Sequence, residues 1–333
     1  MKPPHPENPS RVAWVDYAKG IGIILVVAGH VLRGLGKTSV RIPGWESVDA
    51  WIYTFHMPLF FFLAGLFVEH SCRGTLGRFI DGKARRILWP YFVWTIIQEG
   101  FRHLTGSSTV ALADLWTIIY RPAMQFWFLY VLFLLLVLYA AWRKAGGAQE
   151  VFVALALALN ISLAFGANYG PWGVVYQAWI YIPYLALGVL VSRLGLQEEA
   201  GELGVPTLVG LALGGYAVIT LAVWVHAAGL TGFVVPLAVV GIAASVALAG
   251  CLSRWRPASA IATLGVFSLE IFVAHTIFSS GCRQALLAAG IHSPALHVAG
   301  GMGVGLAGPL VLHVLFKRFN LLFLFSLPTK RDP

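Results

Sequence analysis

Charge is scarce in this sequence. Of its 333 residues, only 11% are Asp, Glu, Lys or Arg, against about 25% in a soluble domain. A chain so poor in charge cannot cover a water-facing surface in the usual way, which excludes a soluble enzyme. Cysteine is scarce too. Cys72, Cys251 and Cys282 are the only three, far apart and odd in number. They exclude a disulfide-stapled secreted module and are read as packing residues. No set of His, Cys and carboxylates has metal-ligand spacing, so no metal is expected. Fixed-period repeats and low-complexity tracts are missing. What is abundant is apolar: 58% of residues are hydrophobic, and the mean hydropathy is +0.78. The expectation is an all-α polytopic membrane protein whose outer surface faces lipid.

A run of about 20 apolar residues spans a bilayer. Ten such runs are present: 18–36, 49–69, 86–104, 124–142, 150–166, 174–193, 205–228, 233–252, 259–280 and 295–317. The predicted fold is a bundle of about ten transmembrane helices forming one membrane domain over 1–333. Residues 1–17 are read as a cytoplasmic N-terminal segment and 318–333 as a cytoplasmic tail. The first run has no small-residue cleavage site behind it and is read as a retained helix, not a signal peptide. The net charge of +9 bears on orientation, not on nucleic acid. With ten crossings, 17 of the 23 Lys and Arg residues fall on the side of the N-terminus. The six on the other side are Arg33, Lys37, Arg41, Arg102, Arg121 and Arg283. Positive loops stay inside, so both termini are expected in the cytoplasm. The Ala-, Gly- and Arg-rich usage points to a bacterial inner membrane.

Polar side chains within the apolar runs are costly and are functional candidates by default. They are His30, His56, Glu99, Glu270, His275 and His313, with Asp16 and Lys19 at the start of the first helix. Lys19 and His30 are eleven residues apart, which places them on one helix face about 16 Å apart along the axis. One stripe thus carries a cation at one end and a proton acceptor at the other. The second run returns antiparallel, so His56 comes to a depth similar to that of His30. Pro58, two residues on, removes a backbone hydrogen bond and frees a carbonyl near His56. His226 and His313 have no motif around them and are read as packing residues.

Four stretches carry a resemblance. Trp14-Val15-Asp16-Tyr17-Ala18-Lys19 through Gly29-His30 is a basic residue, ten residues, then His. Phe55-His56-Met57-Pro58-Leu59-Phe60-Phe61 follows, then Arg85-Arg86-Ile87-Leu88-Trp89-Pro90-Tyr91, then Trp127-Phe128-Leu129. In this order they resemble the acyltransferase-3 group of integral membrane O-acyltransferases, in particular bacterial enzymes described as fucose 4-O-acetylase-like. Ser268-Leu269-Glu270 through His275 is similar to a later, looser pattern of the group. Many members carry an extracytoplasmic hydrolase-like domain after the membrane part, whereas this sequence stops at Pro333. The expectation is either a partner protein that completes the transfer or direct acylation by a single domain.

The resemblance implies transfer of an acyl group, usually acetyl, from acyl-CoA to a hydroxyl of a saccharide in a cell-surface or exported glycan. Acetyl-CoA is then a co-substrate, and a glycan acceptor and separate glycan-assembly proteins are partners besides the bilayer. A hydroxyl needs a base, and histidine serves near neutral pH. His30 is the candidate base. His56 orients the acceptor, shares the proton or holds the acyl group, and these roles stay open. A carboxylate partner would fix the tautomer, with Glu270, Glu99 and Asp16 as candidates and Glu270 counted with the catalytic set. Lys19, Arg85 and Arg86, with Lys83 beside them, form a basic mouth suited to the phosphates of coenzyme A. The alternative for that cluster is plain topology. Asp16, Glu99, Gln125, Trp127 and His275 are expected to meet substrate, with Arg121 near the same mouth. An interfacial aromatic belt is the other reading of Trp127. A different function class stays open as well: a transporter or exporter of a small or lipid-linked sugar, with buried His and Glu relaying protons. It is disfavoured because no matching helix break is visible in the later half of the sequence.

Overall fold

The structure is a computed structural model that describes residues 13–108, 111–197 and 202–328. Lys2, His5, Arg11, Lys330 and Arg331 lie outside the described residues. Every regular element among the described residues is helical. The helices are α1 (Ala13–Leu35), α2 (Trp45–Ser71), α3 (Leu76–Lys83), α4 (Trp89–Leu104), α5 (Trp127–Lys144), α6 (Gln149–Ala164) and α7 (Gly173–Arg193). They continue with α8 (Val205–Trp224), α9 (Thr231–Leu252), α10 (Ser259–Val266), α11 (Ser268–Ala288) and α12 (Pro294–Arg318). Each of the ten apolar runs coincides with a helix or a helix pair. Among the described residues seven helical stretches are long and apolar enough to cross a membrane, one of them Ala113–Lys144 ending in α5, and the α10–α11 pair makes an eighth if taken as one bent span.

One expectation is corrected by the backbone. The run 259–280 is not one rod: α10 and α11 meet at Phe267 with a bend of 78°. No proline lies there, so the break was invisible to a hydropathy reading. Pro58, by contrast, sits inside an unbroken α2. A proline at 58 orphans the carbonyl of Thr54, whereas His56 Nδ1 bonds the carbonyl of Ile52 at 2.8 Å.

Helix α1 is the hub. It packs against α2, α9, α10, α11 and α12. In α1 and α2, 67% of the most apolar window is buried, against 17% in α12. Glycine sets the closest approaches, as small residues do between membrane helices. A Cβ on Gly265 of α10 would meet the Asp16 carbonyl and the Gly20 nitrogen of α1. A Cβ on Gly65 would meet the Leu185 carbonyl of α7. The outward faces carry Leu213, Leu221, Trp224 and Val311, all well exposed, as expected of a surface in contact with lipid tails.

The basic side of the bundle, where α1 begins, is tied by specific contacts. Glu69, near the end of α2, accepts from Arg143 Nη2 at 3.0 Å and from the Tyr139 hydroxyl at 2.5 Å, both on α5. Residues Ala84–Leu88 form a π-turn between α3 and α4, a geometry common at functional sites. The segment after α12 docks beside it. Trp89 Nε1 donates to the Phe323 carbonyl at 2.7 Å, Trp94 Nε1 to the Leu324 carbonyl at 3.0 Å, and Leu327 N to the Arg85 carbonyl at 3.1 Å. Phe325 is buried against the Trp94 ring. The residues following the last helix are therefore packed into the fold as far as Pro328.

Candidate active site

A cavity of about 310 Å³ opens among α1, α2, α5, the π-turn and α11. Lys19, Lys83 and Arg86 stand in its wall. The remainder is mainly apolar: Phe60, Leu63, Ala64 and Phe67 from α2, Phe128, Leu129, Leu132 and Leu136 from α5, and Leu269 and Phe272 from α11. Burial pushes the Lys83 ammonium below its usual range, and Arg86 beside it pushes it further. Among the described residues Arg86 makes no hydrogen bond or ion pair with protein, although three cationic side chains share this wall. Such a wall favours an anionic ligand. The bend at Phe267 adds to it. Ser268 and Leu269, the first residues of α11, line the same cavity, and no side chain caps that helix start. The N–H groups of its first turn carry partial positive charge, one of them taken by the carboxylate of Glu270 itself.

The adjacent arginines diverge. Arg85 Nε donates to the Asp81 carboxylate at 2.8 and 2.9 Å, and Nη1 to the Pro328 carbonyl at 3.2 Å. Arg85 thus holds the C-terminal segment and does not line the cavity, while Arg86 does.

At the deep end, the Phe272 ring is 6.4 Å from that of His275. His275 is 0% exposed, and its Nε2 lies 2.7 Å from His30 Nδ1. The two imidazoles are parallel to within 4°, with centroids 4.9 Å apart. His56 is buried within electrostatic range of His30 and makes no direct bond to it. Its ring meets Tyr53 edge-on, centroids 4.5 Å apart. Gly29 makes room for Tyr53, since a Cβ there would sit 2.9 Å from its ring. The structure therefore brings together three histidines from α1, α2 and α11, of which His275 is the one in contact with His30.

The sought carboxylates are elsewhere. Glu270 faces His313 of α12, 3.4 Å from its Nδ1. That separation is an ion-pair approach without hydrogen-bond geometry, since His313 Nδ1 has no hydrogen-bond partner among the described residues. It gives His313 a contact that the sequence did not suggest. Glu99, 1% exposed, takes Arg102 at 2.9 Å and Ser108 at 2.8 Å. Asp16 sits in the first turn of α1 against α10, fourteen residues and about 21 Å along the axis from His30. A second imidazole stands where a carboxylate was expected.

Gln125 does reach the site's frame. Its Nε2 donates to Gln98 Oε1 at 2.9 Å and to Thr276 Oγ1 at 3.1 Å, and Gln98 Nε2 donates to the Val273 carbonyl at 2.8 Å. This brace ties α4 and the turn just before α5 to α11 on both sides of His275. Gln98 and Thr276 were missed because a neutral amide and a hydroxyl do not stand out beside Glu99 and His275. Met124, next to Gln125, has φ 50°, an uncommon conformation for a side-chain-bearing residue.

Beyond the histidines, on the side opposite the cations, polar and aromatic side chains gather. Arg33 is one turn past His30. It pairs with Asp49 at 2.7 and 2.9 Å and lies over the Tyr53 ring, 3.2 Å from its centroid. Trp127 packs on Tyr181 with centroids 5.0 Å apart, and Tyr181 is within electrostatic range of Arg33 and Tyr53. Arg121 is exposed over Tyr120. Arg33 and Asp49 were passed over because residues near helix ends read as ordinary interfacial anchors, and Tyr53 and Tyr181 because a tyrosine farther inside α2 or α7 does not stand out from the packing.

With this geometry in place, comparison with known proteins is decisive for the family. Residues 12–314 match the family described as acyltransferase domain, the acyltransferase-3 family. The chain belongs to this family. It is 31% identical over 198 residues to the nodulation protein NolL of Sinorhizobium fredii, covering 56% of this chain and 50% of that protein. It is 24% identical over 209 residues to the nodulation protein NolL of Mesorhizobium japonicum, covering 55% and 56% respectively. The chain thus spans about half the length of these curated relatives. No solved structure matches. The break at Phe267 is a feature the transporter reading called for, whereas the family match over residues 12–314 favours the acyltransferase reading.

Proposed function

We propose that this protein is a membrane O-acyltransferase that moves an acetyl group from acetyl-CoA to a saccharide hydroxyl of a surface or exported glycan. The observation that carries the reading is the run from cations to histidine. Lys19, Lys83 and Arg86 offer phosphate contacts at one end of an apolar cavity, and Phe272 at the other leads to the His275–His30 pair. A phosphate-rich head on a long, thin thioester arm matches both halves. The volume is at the small end for a ligand site. It holds the arm, with the nucleotide left at the mouth.

His30 takes the acceptor proton, the hydroxyl oxygen bonds to the thioester carbonyl carbon, and the carbon–sulfur bond breaks. Apolar walls exclude the water that would otherwise hydrolyse the thioester. His56 meets the acceptor or shares its proton. On the opposite side, Trp127, packed on Tyr181, offers an aromatic surface to a sugar ring, and Arg33, paired with Asp49 through Nε and Nη2, keeps Nη1 for its hydroxyls. With the basic side facing the cytosol of a bacterial inner membrane, the donor arrives from inside and the acceptor from outside.

Mass spectrometry of the host's glycans tests this. Cells with the wild-type protein should carry glycan one acetyl group heavier per site than cells with His30→Ala. Identical glycan profiles would overturn the reading.

A further inference from the structure

The contact between His30 and His275 specifies where the protons are. This inference deepens the transferase reading and rests on it for the chemistry, although the geometry stands alone. His275 Nδ1 lies 2.8 Å from the Ile271 carbonyl oxygen and 2.9 Å from that of Phe272. A carbonyl only accepts, so Nδ1 carries a hydrogen. In the neutral ring Nε2 is then a bare lone pair. It faces His30 Nδ1 at 2.7 Å, so the hydrogen between the rings belongs to His30. With rings parallel to 4° and centroids 4.9 Å apart, edges meet as an N–H···N bond requires, not faces as in a stack. The proton of His30 is therefore on Nδ1, and its lone pair is on Nε2.

We propose that His275 is a positioning residue. It locks His30 in the Nδ1–H tautomer and makes Nε2 the atom that takes the acceptor proton. In a Ser-His-Asp triad a carboxylate orients the base in this way. Here an imidazole does so, anchored on the carbonyls of its own helix, and no carboxylate charge has to be buried beside the thioester. The side chain is well placed for the task. It is fully buried, and the Gln98 and Gln125 bonds hold α11 at Val273 and Thr276, on either side of it. His30 keeps part of its surface open, and among the described residues its Nε2 has no hydrogen-bond partner.

The step balances without a co-reactant. The hydroxyl proton passes to His30 Nε2 while the oxygen bonds to the carbonyl carbon. Collapse breaks the carbon–sulfur bond, and the Nε2 proton passes to the leaving sulfur, which yields the ester and free thiol. The Nδ1 hydrogens of both rings stay in place throughout.

Nitrogen NMR of ¹⁵N-histidine-labelled protein in nanodiscs reads the tautomer directly. His30 should show a protonated Nδ1 and a bare Nε2, assigned by the signals lost in His30→Gln. Activity is followed with acetyl-CoA and the host's membrane glycan fraction. His275→Phe removes the acceptor and should lower kcat about a hundredfold at unchanged KM for acetyl-CoA. His275→Gln, whose Oε1 can accept from His30, should restore activity to within about tenfold of wild type. A protonated Nε2 on His30 in the wild type, or full activity in His275→Phe, would overturn the proposal. Failure of the wild-type protein to transfer acetyl would instead sink the transferase reading, with the tautomer still measured.

Discussion

Arg85 and Arg86 show how one residue's step along a π-turn separates two roles. Arg85 is occupied by Asp81 and the Pro328 carbonyl, while Arg86 lines the cavity. Loss of a charge-assisted contact to phosphate costs about 1.5–3 kcal/mol. Arg86→Ala should therefore raise the KM for acetyl-CoA by about tenfold or more, whereas Arg85→Ala should leave it near the wild-type value. Steady-state kinetics on purified protein in nanodiscs separates the two. The sequence named both arginines because they are adjacent and basic, and it had no access to a turn that sends them apart. It also gathered His30, His56 and His275 from three distant stretches, since an imidazole in an apolar run is visible without coordinates. The partner assignment was not legible. Which side chain meets His30 depends on the rotation of α11, and Glu270, five residues before His275, is carried round to face His313.

At the scale of elements, hydropathy located every apolar run, because lipid requires long helices and little else. It missed the 78° turn at Phe267. A break without proline leaves no mark on composition, yet it brings the start of α11 to the cavity. The glycine contacts were legible only as a class. Gly265 takes the backbone of α1 within contact distance, whereas Gly210 on α8 faces open space. Backbone cannot yield as a side-chain tip does, and overpacking costs about 1–3 kcal/mol. Gly265→Ala should lower the thermal unfolding midpoint of detergent-solubilised protein, and Gly210→Ala should leave it unchanged. Because α10 sits against the helix that carries Lys19 and His30, the Gly265 variant should lose transfer activity along with stability.

The whole molecule is organised around α1, which runs from the cationic cavity to the aromatic cluster around Arg33. Lys19 is near its start and Arg33 near its end, and His30 lies between them. On the proposed reading the donor would approach His30 from the Lys19 side, past Phe272, and the acceptor from the Arg33 side. The cations and the apolar sleeve suit a phosphorylated thioester, and Arg33, Tyr53, Trp127 and Tyr181 suit a sugar. The donor side of this arrangement is the part most directly open to measurement. A cryo-EM structure with a thioether analogue of acetyl-CoA should show its phosphates against Lys19, Lys83 and Arg86, its arm between α2, α5 and α11, and the acyl end beside His30. An analogue bound elsewhere, or an acyl end out of reach of His30 with the cavity empty, would contradict the account.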